Sequence, residues 1–136
     1  MTYFRKIEPV SSPFVVGTDD NGRIEMACNF QIECEYTATL PNIIQDMLVD
    51  AGLGTFGTDI GVSPLWTVPT GDGPYILITE TGGLGHDKTH NETWPPAYIQ
   101  PRIQLWVVGA GYQAVAAVMN TASATLGAVR NQDITP

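Results

Sequence analysis

The chain has 136 residues, with fourteen Asp and Glu against six Lys and Arg for a net charge of −8, a length that suits one domain spanning residues 1–136. So few cations exclude a surface that grips nucleic acid through clustered phosphate contacts, while an acidic surface suits DNA that slides past without adhering. No stretch approaches the roughly 18 apolar residues of a membrane span, and no basic leader with an apolar run announces a signal peptide.

In chain order, Pro13 to Gly17 reads as the first arm of a hairpin. Its turn is Asp19-Asp20-Asn21-Gly22, residue types that tolerate positive φ. The second arm alternates strictly. Ile24, Met26, Cys28, Phe30, Ile32, Cys34 and Tyr36 form one face, and Glu25, Ala27, Asn29, Gln31, Glu33 and Glu35 form the other. Period-two alternation predicts a half-buried strand with one apolar and one acidic face. Cys28 and Cys34 then lie about 20 Å apart along that strand, too far for a disulfide. They read as buried free thiols in a reducing compartment.

After Tyr36 the period changes. Leu40, Ile43, Ile44, Met47 and Leu48 predict an amphipathic helix, with Thr39 as its cap, Pro41 in its first turn and Gly52 ending it. Gly54 to Gly61 reads as a flexible link. Ile60 to Val68, broken by Pro64, reads as an edge or bulged strand. Gly71-Asp72-Gly73 turns into a strand over Pro74 to Thr81, and a polar loop runs from Gly82 to about Tyr98. Residues 99–108, IQPRIQLWVV, form the next strand. Ile99, Pro101, Ile103, Leu105 and Val107 share one of its faces; Gln100, Arg102, Gln104, Trp106 and Val108 share the other. Gly109 and Gly111 precede a second helix carrying Tyr112, Val115, Ala116, Met119, Ala122, Ser123 and Leu126, rich in small residues. Val129 to Pro136 reads as a short polar tail. The order β-β-α-β-β-β-α predicts an α+β fold: a mostly antiparallel sheet with two helices packed on one face, a two-layer sandwich.

Both histidines lie in the polar loop, in His86-Asp87-Lys88-Thr89-His90-Asn91-Glu92. His-x3-His serves a metal on a helix, where both imidazoles share a face. Here glycines precede it and Pro95-Pro96 follow, so an interface-ordered or solvated loop is favoured and no metal or cofactor is expected. Gly82-Gly83-x-Gly85 follows a strand but lacks the Lys-Ser/Thr pair of a phosphate loop. Neither cysteine sits in a reactive motif. Glu80 fits a strand-end carboxylate, and Trp94 and Trp106 fit core or subunit contacts as well as stacking platforms. An enzyme is not expected. A small metal-dependent hydrolase using His86 and His90, with Glu92 or Glu80, stands as an alternative, as does a ligand-binding module built on the two tryptophans.

Two segments together resemble the tail terminator and minor tail proteins of long-tailed bacteriophages. One runs from PYILITETGG through the histidine-bearing loop to PRIQLWVVGAGYQAVAAVMNTASATLGAVRNQDI; the other is FRKIEPVSSPFVVGTDDNGRIEMACNFQIECE. In that family a strand ending in TGG leads through a loop to a strand ending in an aromatic residue and glycine. A helix of small residues follows, then a proline-bearing strand, then a D-x-x-G-R turn into a last alternating strand. Here the last segment comes first, so the order resembles a circular permutation, and the two ends of the chain are expected to meet. A swap of residues 1–36 onto a neighbouring subunit is the competing geometry.

The resemblance implies a structural virion protein: a homo-oligomeric ring, typically a hexamer, at the head-proximal end of the tail. It would end tube polymerisation, contact the tail-tube protein and the head connector protein, and let DNA pass through its lumen. It implies a virion tail or neck location after assembly in the host cytoplasm, with no membrane involved. A head–tail connector or stopper, or a minor capsid protein, is the structural alternative. Candidate subunit or partner contacts are His86, Asp87, Lys88, His90, Trp94, Arg102 and Trp106.

Overall fold

The computed structural model describes residues 2–84 and 98–134. In chain order the elements are β1 (Thr2–Pro9), β2 (Phe14–Thr18), β3 (Ile24–Glu35), α1 (Leu40–Asp50), β4 (Ile60–Val62), β5 (Tyr75–Leu84), β6 (Tyr98–Gly109), α2 (Tyr112–Gly127) and β7 (Arg130–Ile134). One seven-stranded sheet runs β4-β5-β6-β3-β1-β7, with β2 joined to β3 as well. Among the strands of the described residues only β4 and β5 pair in parallel; the other strand pairs are antiparallel. This is the α+β two-layer architecture that the periodicities predict.

The alternation in β3 decides the layers. Met26, Cys28, Phe30, Ile32 and Cys34 are buried, and they join Ile76 and Ile78 of β5 and Ile103, Leu105 and Val107 of β6 in one core. Both helices close that same core, α1 through Leu40, Ile43, Ile44 and Leu48 and α2 through Val115, Met119, Ala122 and Leu126. Each fully buried Val, Leu, Ile, Phe or Met side chain among them contributes about 1.5–3 kcal/mol by leaving water. Tyr36 falls past the end of β3 and is exposed.

The ends of α1 follow two different logics. Gly52 takes φ +81, and the N–H groups of Gly52 and Leu53 donate to the carbonyls of Val49 (3.0 Å) and Leu48 (3.2 Å). That pair of bonds is a Schellman closure, which needs a residue free to adopt the left-handed region. At the other end Thr39 does not cap the helix with its side chain. Its hydroxyl turns to that of Thr37 (3.3 Å), and its carbonyl takes the N–H groups of Asn42 and Ile43 instead.

Other sequence expectations change as well. The tail is a strand: β7 pairs with β1, and β1 pairs with β3, neither of which was expected to be an element. Gly54 to Gly61 is no flexible link, because the Thr55 carbonyl accepts the N–H groups of Thr58, Asp59 and Ile60, and Gly57 bonds Ile60. β4 keeps only three residues and stops at Val62, so Ile60 to Val68 is not a strand throughout. β5 also runs past its expected end, through Gly82 and Gly83 to Leu84, by way of a bulge between Glu80 and Gly82. Gly82 sits at φ +94 there. The bulge lies beside Pro101 of the central strand β6, which pairs with Gly83, and a bulge is one of the few places a sheet tolerates a residue without an N–H.

The two ends of the described chain meet. Thr2 pairs with Ile134, Tyr3 with Asp133 and Phe4 with Gln132. The Tyr3 hydroxyl also donates to Asn131 Oδ1 (3.2 Å). Residues 2–35 belong to the chain's own sheet, not to a swapped position.

Candidate functional site

Of the seven candidate contact residues, His86, Asp87, Lys88, His90 and Trp94 lie outside the described residues, as does Glu92. Arg102 and Trp106 are described, and both stand on the face of the sheet opposite the helices. Arg102 is exposed and donates from Nε to Gln31 Oε1 (2.8 Å). Gln31 in turn donates from Nε2 to the carbonyls of Gln100 (2.9 Å) and Pro101 (3.2 Å). Trp106 lies between Ala27 and Leu77, with Phe14 beyond Ala27. The small Ala27, fully buried, leaves room for the half-buried indole. Trp106 is therefore the centre of an apolar row across four strands, flanked on one side by Asn29, Gln104 and Thr79 and on the other by Glu25, Val108 and Tyr75.

The acidic row of β3 is answered by cations from its neighbours. Lys6 lies 3.2 Å from Glu8 and 3.8 Å from Glu33. Arg5 stacks over the Tyr98 ring at 4.1 Å, and Glu35 accepts the Tyr3 N–H at 2.7 Å. The open face is thus charge-mixed, though its glutamates remain partly accessible.

The Asp-x-x-Gly-Arg turn is a staple. Asp19 Oδ1 accepts the N–H groups of Asn21 (3.0 Å) and Arg23 (2.8 Å), and Oδ2 accepts Arg23 Nε (2.7 Å). Arg23 Nη1 reaches the carbonyls of Pro69 (2.6 Å) and Gly71 (3.1 Å), with its guanidinium 5.9 Å above the Tyr75 ring. One side chain ties the β2–β3 turn to the loop before β5. Burial pushes the Asp19 carboxyl up, but the Arg23 and Asn21 N–H groups and the Arg23 charge outweigh it and hold the carboxyl below its ordinary value.

The comparisons were negative. The chain matches no family model, no curated protein and no solved structure.

Two features escaped sequence reasoning. The first is a cavity of about 340 Å³ between α1 and the β4 edge, lined by Phe56, Gly57, Gly61, Val62, Leu65 and Trp66 with Asn42 and Gln45 of α1. The Trp66 indole N–H donates to the Gly57 carbonyl (3.1 Å), and a methyl group at Gly61 would overlap that indole. Gln45 is only 4 % exposed, and its Oε1 has no hydrogen-bond partner. The second is the β2 edge, where Val10, Phe14, Val15 and Val16 are 42–50 % exposed.

Cys28 and Cys34 are fully buried free thiols. Burial, reinforced by the charges of Glu35 and Glu80, pushes Cys34 up to about 12; burial also raises Cys28, offset in part by a hydrogen bond from Ser123. Neither group presents a nucleophile. Among the described residues no three His, Cys, Asp or Glu side chains gather to hold a metal ion, and no helix is long and apolar enough to cross a membrane.

Proposed function

We propose that this chain is a ring-forming structural protein of a long-tailed bacteriophage, a tail terminator that ends polymerisation of the tail tube and joins tail to head. The observation that carries this reading is the β1–β7 pairing. A permuted family order requires the segment that starts this chain to lie beside the segment that ends it, and Thr2 opposite Ile134 satisfies that requirement. A second feature agrees. The sheet has helices on one side only, and its β2 edge is apolar and unpaired among the described residues. Such an edge is a liability for a lone subunit and an asset for one covered by neighbours.

The test is growth of the tube. Purified tail-tube protein polymerises with rising light scattering, and the tube-to-chain ratio at which this chain stops growth is measured. Arrest by a few subunits per tube end supports the terminator role. Unchanged growth with binding to the head portal instead assigns the chain to a connector, and binding to neither sinks the reading.

A further inference from the structure

The turn between β2 and β3 holds a reactive pair. Asn21 is the one asparagine of the chain that a glycine follows. At such a pair the backbone most readily attacks its own side chain, because Gly22 has no Cβ to keep its nitrogen from the Asn21 carboxamide. Asn21 and Gly22 are both exposed. A Cβ at Gly22 would find nothing within 4 Å, so water and hydroxide reach the tip of the turn. The other described asparagines precede Phe30, Ile43, Thr121 and Gln132, whose side chains crowd the same approach.

The turn also restrains the attack. The Gly22 N–H donates to the Asp19 carbonyl (3.0 Å), and the Asn21 N–H to Asp19 Oδ1 (3.0 Å). Arg23 holds Asp19 in place through its own N–H to Oδ1 (2.8 Å) and its Nε to Oδ2 (2.7 Å). The Asp19 N–H donates to the Arg23 carbonyl (2.9 Å) and closes the turn, while Arg23 Nη1 anchors it to the Pro69 carbonyl (2.6 Å). To react, the Gly22 nitrogen must lose its proton and swing from the Asp19 carbonyl to Asn21 Cγ. The turn must therefore open locally first.

We propose that Asn21 is a deamidation site and that the Asp19–Arg23 staple sets its rate. Hydroxide takes the Gly22 N–H proton, and the nitrogen forms a bond to Asn21 Cγ. The bond from Cγ to the side-chain nitrogen breaks, and ammonia leaves with a proton from water, closing a succinimide ring. Water then opens the ring. Attack at Cγ leaves aspartate; attack at the backbone carbonyl leaves isoaspartate, in which the chain runs through the former side chain. Either product adds a carboxylate to a turn that already carries Asp19 and Asp20. Isoaspartate also adds a methylene to the backbone that Arg23 ties to the loop before β5.

Peptide mapping by mass spectrometry, after incubation of the full chain in warm, mildly alkaline buffer, tests both parts. The peptide holding residue 21 should gain the mass of an amide turned acid before any other asparagine-bearing peptide does, and its product should separate into aspartate and isoaspartate forms. The gain should be slowest in the native wild type and equally fast for wild type and Arg23→Ala in denaturant. In native Arg23→Ala it should run about fivefold faster than in the native wild type, the factor for losing about 1 kcal/mol of hydrogen-bond restraint. No gain at residue 21, or an earlier gain at another asparagine, overturns the site. A product that is aspartate alone overturns the succinimide route. Equal rates in native wild type and native Arg23→Ala, or in native and denatured wild type, overturn the role of the staple. The last comparison needs no variant and decides the matter if Arg23→Ala does not fold.

Discussion

Joining the ends of the chain and opening it elsewhere should leave the fold intact. Ile134 and Thr2 are direct partners in an antiparallel pair, about 5 Å apart at Cα. Direct fusion puts Thr135, Pro136 and Met1 between them, and three residues make a common hairpin loop. New ends between Thr37 and Ala38 fall in the exposed link from β3 to α1 and restore the segment order of the resembled family. The closed loop of three residues replaces an opened one of four, a chain-entropy difference of about 0.3 kcal/mol. The cut also costs the exposed bond from the Thr39 N–H to Thr37 Oγ1 (3.2 Å), about 0.5 kcal/mol. The rearranged chain should therefore keep its circular dichroism spectrum and unfold within about 1 kcal/mol of the parent, a shift of roughly 5 °C or less. Opening the chain between Asn29 and Phe30, inside the β3–β6 ladder, should abolish folding. If the first rearrangement is unfolded, or loses more than about 4 kcal/mol, the closure argument is wrong.

Arg23→Ala should cost about 2 kcal/mol by stripping the Pro69 and Gly71 carbonyls of a charged donor, and faster hydrogen exchange should appear in both loops. Because the Asp19 carboxyl is depressed in the folded state, its contribution is present above about pH 4 and lost as pH falls through the depressed value. Acid melts should thus narrow the gap between wild type and Arg23→Ala. Gly61→Ala forces a methyl into the Trp66 indole and should lower stability by about 1–3 kcal/mol, read by denaturant titration. Both thiols should resist iodoacetamide at pH 8 in the folded protein and react only on unfolding, as their raised values require; rapid native labelling would contradict their burial.

Elements that bury one regular face announced themselves. β3, α1, β6 and α2 each repeat their apolar residues at the period of the structure they form. β1 did not, because a bulge between Phe4 and Lys6 shifts its phase. Its buried Phe4 and Ile7 are consequently three apart rather than two, and the segment reads as neither strand nor helix. β7 gave no signal for a different reason. RNQDI has four exposed residues of five, and its place in the sheet comes from backbone pairing with β1, which leaves no mark on side-chain pattern. The glycines around Thr55 suggested mobility, whereas local N–H bonds to one carbonyl fix that turn. At the candidate surface, the alternation of β6 set Trp106 on the same face as Arg102, where both stand, whereas Gln45 gave no signal. It lies beside the apolar stripe of α1 and becomes notable only once packing isolates its oxygen.

The central claim is that this chain closes into a ring, and native mass spectrometry of the purified protein at high concentration tests it most directly. The account predicts a single dominant closed species, six subunits by the family resemblance, that dissociates when the β2 edge is made polar by Val15→Lys. A monomer that stays monomeric at every concentration and beside added tail tubes would contradict it.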